Sequence, residues 1–236
     1  MTIRGTFGYR LNMNVSPSAE PGGDLHAIKI PGIIPLFPLP NLVFYPRTYL
    51  PLHIFEPRYR TMVRDAASTH RMIGMVLLKE GWESDYDGAP AVFSTGCVGR
   101  IISVQPLPDG RSNIMLQGLR RFELQHEVGA ETYRQGRIIL HERAHPDAEL
   151  PADLLAELRK VAGNFLRRSQ DPSLAALLTQ PLHDEVLVQN LSFAVDFTPL
   201  EKQFLLESET LVQQTRRLLD LLQFKLYERN DHIGWG

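Results

Sequence analysis

The sequence contains one cysteine, Cys97, among 236 residues. A single thiol cannot form an intramolecular disulfide, and it excludes a structural zinc site built on pairs of cysteines. Lying between Gly96 and Val98, Cys97 is predicted to be a small buried apolar side chain. No apolar run approaches the ~20 residues of a membrane-spanning helix, and residues 1–16 lack the apolar core of a signal peptide. These absences predict a cytoplasmic protein that does not associate with a membrane.

A strong charge of either sign is also missing. The formal net charge is −2, from 25 basic and 27 acidic side chains, so no global field recruits nucleic acid or an anionic membrane. The hydrophobic content of 43% and charged content of 22% are instead typical of a globular protein that buries a core. Nucleic acid is therefore not an expected partner on charge alone.

Common catalytic motifs are absent as well. No Gly-Lys dipeptide occurs, which excludes the phosphate-binding Walker A loop, and no Gly-x-Ser-x-Gly nucleophile elbow is found. We expect neither a catalytic residue nor a cofactor.

One metal-binding pattern is present, because residues His141 to His145 spell H-E-x-x-H. In zinc proteases this pattern acts on a helix, where residues four apart face the same metal. Here it ends an apolar β-type run, and Pro146 disfavours helical geometry at His145. On an extended strand the two histidines lie roughly 13 Å apart, too far to share an ion. We predict that the match is coincidental and that no metal is bound.

The chain divides into three parts by composition. Residues 1–29 contain a cluster of breakers from Ser16 to Gly23 and are predicted to form a flexible leader. Residues 30–145 are rich in strand-like runs, and residues 152–230 follow helical periodicity. We predict a β domain with one helix, followed by an all-helical domain.

Within the β part, prolines interrupt the apolar pieces from Ile33 to Leu52. They predict edge strands and ordered loops and argue against a central strand, because proline donates no ladder hydrogen bond. A helix is predicted to begin at Pro57, and a hairpin turn is predicted at Leu107–Arg111. The remaining strand-like runs are 73–78, 96–106, 112–116, 122–127 and 134–142.

Helical patterns run through 154–165 and 184–195. Thr198-Pro199-Leu200-Glu201 then reads as a capping box that opens a last helix of about 30 residues.

Two motifs resemble a known family. These are Ile34-Pro-Leu-Phe-Pro-Leu-Pro-Asn-Leu-Val-Phe-Tyr-Pro46 and Leu50-Pro-Leu-His-Ile-Phe-Glu-Pro-Arg-Tyr-Arg-Thr-Met-Val63. Together they resemble the N-terminal substrate-recognition domain of the ATP-dependent Lon protease. Weaker similarity extends over residues 31–228, through Gly96–Arg100, Leu107–Ser112, Gly118–Phe122 and Glu201–Glu207.

The resemblance implies an α+β protein, with a PUA-like β barrel or pseudobarrel followed by a helical bundle. It also implies recognition without catalysis, because the ATPase and Ser-Lys protease modules of Lon have no counterpart in this sequence. The chain is similar to stand-alone bacterial proteins made of this domain. Expected partners are unfolded or damaged polypeptides and an ATP-dependent protease. Self-association through the last helix, by Leu211, Leu218, Leu222 and Leu226, is a further expectation.

Peptide binding requires accessible apolar surface, which a strand edge or the proline-rich loop after Leu39 could supply. The candidate peptide-binding residues are Leu39, Asn41, Leu42, Phe44, Tyr45, Phe55 and Tyr59. The alternative for Leu42, Val43, Phe44 and Phe55 is a place in the core. Likewise, a structural clamp would account for Glu56 and Arg58 without a ligand.

RNA binding is the alternative function, since PUA-like domains also occur in RNA-binding proteins. Its candidate residues are Arg100, Arg111, Arg120, Arg121, Arg134 and Arg137. Pairing with acidic neighbours on the strands would explain these arginines without RNA.

Metal analysis of the purified protein tests the interpretation of the H-E-x-x-H pattern. We expect far less than one zinc ion per chain, and no change when both His141 and His145 are replaced by alanine. Stoichiometric zinc that disappears in the double variant would reverse this interpretation.

Overall fold

A computed structural model describes residues 28–85, 88–129, 132–141, 149–167 and 177–231. Almost all of the predicted leader lies outside these ranges. The strands are β1 Ile33–Leu39, β2 Tyr49–Ile54, β3 Met72–Leu77, β4 Thr95–Pro106, β5 Ser112–Val128 and β6 Gln135–Leu140. The helices are α1 Pro57–Ser68, α2 Ala152–Arg167, α3 Asp184–Ala194, α4 Pro199–Leu206 and α5 Leu211–Asp231. The predicted α+β class is confirmed. Within the described ranges, no helix is both long enough and apolar enough to cross a bilayer.

The strands form one mixed sheet in the order β2-β5-β4-β3-β1-β6. β1 and β3 run parallel, whereas the other pairs are antiparallel. β6 pairs with β5 as well as with β1, so the sheet closes on itself and leaves β2 as an extension. The predicted hairpin is confirmed, since Pro106 pairs with Ser112 and Gly110 adopts a positive φ of 80° in the turn.

The 17-residue strand β5 makes this closure possible. Its first part pairs with β2 and its last part pairs with β6. The two separate strands predicted at 112–116 and 122–127 are therefore one strand. Gly118 lies between them because a Cβ there would fall 1.9 Å from the carbonyl oxygen of Tyr45. The glycine thus marks a close backbone approach.

β1 corrects the prediction that the proline-rich stretch contains no central strand, because it lies between β3 and β6. The strand accepts two prolines because its neighbours overlap little. It pairs with β6 over Ile33–Pro35 and with β3 over Leu36–Leu39. The Leu36 amide points towards β6 and donates to the Arg134 carbonyl at 2.8 Å. Pro38 has the same orientation two residues later, where β6 no longer faces it, so no donor is needed.

The last helix is also shorter than predicted. The capping box at Thr198 is confirmed, but the helix it opens ends at Leu206, and α5 begins after a break. A second cap accounts for the break: Thr210 Oγ1 accepts from the Gln213 amide at 3.1 Å, and Gln213 Oε1 accepts from the Glu209 amide at 2.7 Å. This Thr-x-x-Gln arrangement stabilises the start of a new helix. Its sequence signal was overlooked because the apolar periodicity continues through it.

Apolar packing joins the sheet to the helices. The largest cluster of buried residues contains the inner faces of α2, α3, α4 and α5. It also contains Val43 and Tyr45 from the loop between β1 and β2, and Leu77 from β3. A second cluster lies under α1 and includes Cys97, whose predicted burial is confirmed.

Arg121 of β5 is the main polar link between the two parts. Its side chain is 9% exposed, and its guanidinium donates to the carbonyls of Leu206, Ser208 and Glu209. These carbonyls follow the C-terminus of α4, where backbone acceptors lack helical partners and the helix dipole favours a cation. Arg121 therefore caps the break between α4 and α5.

Replacing Arg121 with alanine should destabilise the protein by about 3 kcal/mol, because buried carbonyls lose a charged donor. Urea unfolding measures this change. Arg137→Ala is the matched control: its exposed side chain predicts an effect below about 0.5 kcal/mol. Equal stability of the two variants would show that Arg121 does not hold the helices to the sheet.

Candidate functional site

Most residues predicted in the proline-rich loop belong to the core. Leu42 and Phe44 pack beneath α1 and β4, and the Phe44 side chain is 1% exposed. Tyr45 lies between the sheet and the helices, where its hydroxyl donates to the Lys202 carbonyl at 2.6 Å. Burial raises the pKa of Tyr45, so this hydroxyl keeps its proton and remains a donor. In this conformation these three side chains cannot reach a ligand.

Tyr59 is also buried, with its ring centroid 4.2 Å from that of Phe37. The Arg58 guanidinium lies 4.7 Å from the Tyr59 ring centroid. The Arg58 Nε atom is 3.0 Å from Glu56 Oε2. Glu56 and Arg58 therefore form an ion pair at the start of α1, which is the structural alternative given for them in the sequence analysis.

Leu39 lies beside a small cleft at the end of β1. The Leu39 carbonyl accepts from the Leu78 amide at 3.0 Å, and Leu78 lines the cleft together with Pro38, Tyr59 and Pro90. The rim carries Arg58 and Arg134. Arg134 forms a two-pronged pair with Glu127, at 2.7 and 2.5 Å, and donates to the Pro90 carbonyl at 2.9 Å. Asn41, two positions after Leu39 in the sequence, is exposed.

Phe55 differs from the other candidates because its side chain is 49% exposed. It follows β2 directly and stacks on His53, with ring centroids 6.2 Å apart. His53 Nδ1 lies 2.8 Å from Asn113 Oδ1, and His53 Nε2 lies 3.3 Å from Arg111 Nη1. These contacts fix the His53 ring, which gives Phe55 a defined support.

Arg111 is itself oriented by Asp109, with Nη2 2.5 Å from Oδ2. The hydrogen bond from Arg111 lowers the pKa of Asp109, so the pair stays charged across the neutral range. The hairpin tip beside His53 is therefore polar and ordered.

Further apolar groups extend from Phe55 along the outer side of the sheet. β2 alternates strictly, with Leu50, Leu52 and Ile54 buried and Tyr49, Pro51 and His53 exposed. Pro51 lies opposite Met115, which in turn lies opposite Ser103, so their side chains share the outer face. Ile102 follows the buried Ile101, lies at the register shift between Ile101 and Ser103, and is 39% exposed. We call this patch the β2 surface; it comprises Tyr49, Pro51, His53, Phe55, Ile102 and Met115.

Of the candidate peptide-binding residues predicted from the sequence, only Phe55 lies on the β2 surface. The alternation in Tyr49-Leu-Pro-Leu-His-Ile54 was a usable signal, because exposed and buried positions alternate on a half-buried strand. The prolines obscured it.

The arginines proposed for RNA binding have different environments. Arg111 and Arg134 pair with Asp109 and Glu127, as the acidic-neighbour alternative predicts. Arg121 donates to backbone carbonyls of the helical part. Arg100 and Arg137 are exposed, and Arg120 is half-buried.

His141 directly follows β6, in agreement with the prediction that the pattern begins at the end of a strand. Its amide donates to the Arg121 carbonyl at 3.1 Å. Residues Glu142 to His145 lie outside the described ranges. In the part of the chain that the structure describes, no three His, Cys, Asp or Glu side chains converge as a metal site. The interpretation of the H-E-x-x-H pattern stays a prediction.

Alanine substitution separates core from surface among the candidate residues. Phe44→Ala should cost about 3 to 5 kcal/mol of stability, because it leaves a cavity in the core. Phe55→Ala should cost less than about 1 kcal/mol, because half of its side chain already contacts water. Thermal unfolding of both variants checks the assignment. A large loss with Phe55→Ala would place Phe55 in the core instead.

Residues 33–223 match the family described as the ATP-dependent protease La (LON) substrate-binding domain. The Lon protease of Cytophaga hutchinsonii is 27% identical over 213 residues, which cover 88% of this chain and 26% of that protease. The Lon protease of Parabacteroides distasonis is 30% identical over 207 residues, covering 85% of this chain and 25% of the protease. The chain thus spans about a quarter of the length of these relatives.

Solved structures show the same fold. The Lon N-terminal domain protein from Xanthomonas campestris is 25% identical with a TM-score of 0.60, covering 80% of this chain and 97% of that chain. The N-terminal domain of the Mycobacterium avium complex Lon protease has a TM-score of 0.63 at 17% identity, covering 81% and 98%. The family match extends from β1 into α5 and includes every element that forms the cores described above. This chain belongs to the Lon substrate-binding domain family.

Proposed function

We propose that this protein is a non-catalytic recognition module that binds unfolded or damaged polypeptide segments through the β2 surface. The observation that carries the proposal is the exposure of Tyr49, Phe55 and Ile102 on one side of an ordered sheet. Exposed apolar segments distinguish an unfolded chain from a folded protein, so a complementary apolar surface can select them. The family membership supports this choice, because its description is that of a substrate-binding domain.

The surface is ordered before any ligand binds. Phe55 stacks on His53, and His53 is held by Asn113 and Arg111. A preorganised surface loses little conformational entropy on binding. Leu39, whose carbonyl accepts from the cleft residue Leu78, and the exposed Asn41 form a second contact region in this proposal. Leu42, Phe44, Tyr45 and Tyr59 support both regions from within the core.

The finer description of the fold is part of the same proposal. Closure of the sheet through β5 and β6 supports a PUA-like pseudobarrel over residues 30–145, and α2 to α5 support a helical bundle over residues 152–230. The two parts share the buried cluster around Val43 and Tyr45.

An adaptor role would require a second surface for an ATP-dependent protease or for another copy of the chain. Of the predicted stripe on the last helix, Leu218 and Leu222 are buried in the core and do not contribute. In the described helices, the exposed large apolar side chains are Leu200, Phe204, Phe224 and Tyr227. In this proposal these exposed side chains contact the partner, and the protein acts in the cytoplasm.

A double substitution of Tyr49 and Phe55 to serine tests peptide binding. Capture of reduced, carboxymethylated α-lactalbumin on immobilised protein should weaken by roughly tenfold or more, since two aromatic contacts are lost. Tyr227→Ser is the control, because it removes an aromatic side chain that is 72% exposed in α5 and does not belong to the β2 surface. The control should bind like the parent protein.

The same capture measured over a salt series separates apolar recognition from RNA binding. Binding to the unfolded protein should change little with salt, whereas phosphate contacts weaken steeply. Retention of RNA that falls steeply with salt, together with unchanged protein capture by the double variant, would contradict the proposal.

A further inference from the structure

β2 has an open backbone edge. It is the last strand in the sheet order, and within the described ranges it pairs only with β5. No backbone hydrogen bond joins Tyr49, Pro51 or His53 to any other described segment. An open edge of this kind is a template for another strand.

The direction of each backbone group follows from one hydrogen bond. The Gly118 amide donates to the Thr48 carbonyl at 2.9 Å, and these two residues directly continue the register that places Tyr49 opposite Gln117. Bonded and non-bonded pairs alternate along an antiparallel ladder. The backbone amides and carbonyls of Leu50, Leu52 and Ile54 therefore point towards β5. The backbone groups of Tyr49, Pro51 and His53 point towards the open side.

The open side thus presents amides at Tyr49 and His53, and carbonyls at Tyr49, Pro51 and His53. Pro51 has no amide to leave unpaired at this edge, which is where a strand tolerates proline. The same three residues expose their side chains on the β2 surface. The edge of β2 can consequently provide both main-chain hydrogen bonds and apolar contacts to the same ligand.

We propose that the ligand is an extended polypeptide segment that adds to the sheet as a strand along the open edge of β2. This inference rests on the proposed function and specifies the class of segment that is bound. The backbone bonds provide affinity for any extended sequence, while alternate side chains of the segment contact Tyr49, Pro51 and Phe55. A helical segment is excluded as the ligand, because its backbone groups are already bonded internally.

Backbone N-methylation tests the pairing. The probe is a short peptide with valine or phenylalanine at alternate positions and threonine between them. In two derivatives, the amides of either the odd or the even positions are methylated. One derivative should bind roughly tenfold or more weakly than the parent peptide, because its methyl groups block every amide that faces β2. The other should retain most of the affinity.

Two substitutions at His53 test the protein side of the same bonds. Both His53→Ala and His53→Pro remove the imidazole, but only the proline variant removes the amide that faces the open edge. Since that amide does not bond to β5, both variants should fold, as circular dichroism can verify. His53→Pro should bind the parent peptide several-fold more weakly than His53→Ala.

The outcomes separate the two proposals. If unfolded α-lactalbumin is captured but both methylated peptides bind equally, strand addition is wrong and peptide recognition stands. If neither the unfolded protein nor the parent peptide binds, both proposals fail. A difference between the methylated peptides, matched by a difference between the His53 variants, supports strand addition.

Discussion

The arrangement of this molecule depends on the charged contact between β5 and the break after α4. Arg121 projects from the sheet and satisfies carbonyls at the end of a helix more than 80 residues later in the chain. Desolvating a guanidinium is costly, and backbone acceptors and the helix dipole help to compensate for that cost here. Around this contact, Val43 and Tyr45 enter the helical cluster and complete a continuous apolar core. The helices cover one side of the sheet, and the outer side stays in contact with solvent.

Local rules were sufficient for much of the fold. The helix at Pro57, the hairpin at Gly110 and the capping box at Thr198 each depend on residues within a few positions. Cys97 was correctly placed in the core for the same reason, since it lies within a buried apolar strand. The family resemblance rested on the motif around the proline-rich loop, and the comparison confirms it.

The predictions that failed required information from distant residues. β1 can hold prolines in a central position because its pairing with β6 stops at Pro35. The residues of β1 themselves do not indicate where that pairing stops. The break between α4 and α5 combines a local cap at Thr210 with a contact from Arg121, which belongs to another part of the chain. For the candidate site, an apolar residue in a rigid loop could face ligand or core, and only packing against the helices assigned Phe44 and Tyr45 to the core. The β2 surface depended on pairing between three strands, which the sequence of any one strand does not contain.

The hydroxyl of Tyr45 and its acceptor at Lys202 are 157 positions apart, and this separation affects how the protein is made. Synthesis proceeds from the N-terminus, so the loop after β1 leaves the ribosome long before the helices that cover it. Until α3 is complete, Tyr45 lacks its ring contact with Phe193, and until the chain beyond α4 is made, Arg121 lacks the carbonyls that it binds. During that interval the nascent chain exposes the kind of apolar segment that a quality-control protein recognises. A protein proposed to recognise incomplete folding must itself pass through such a state.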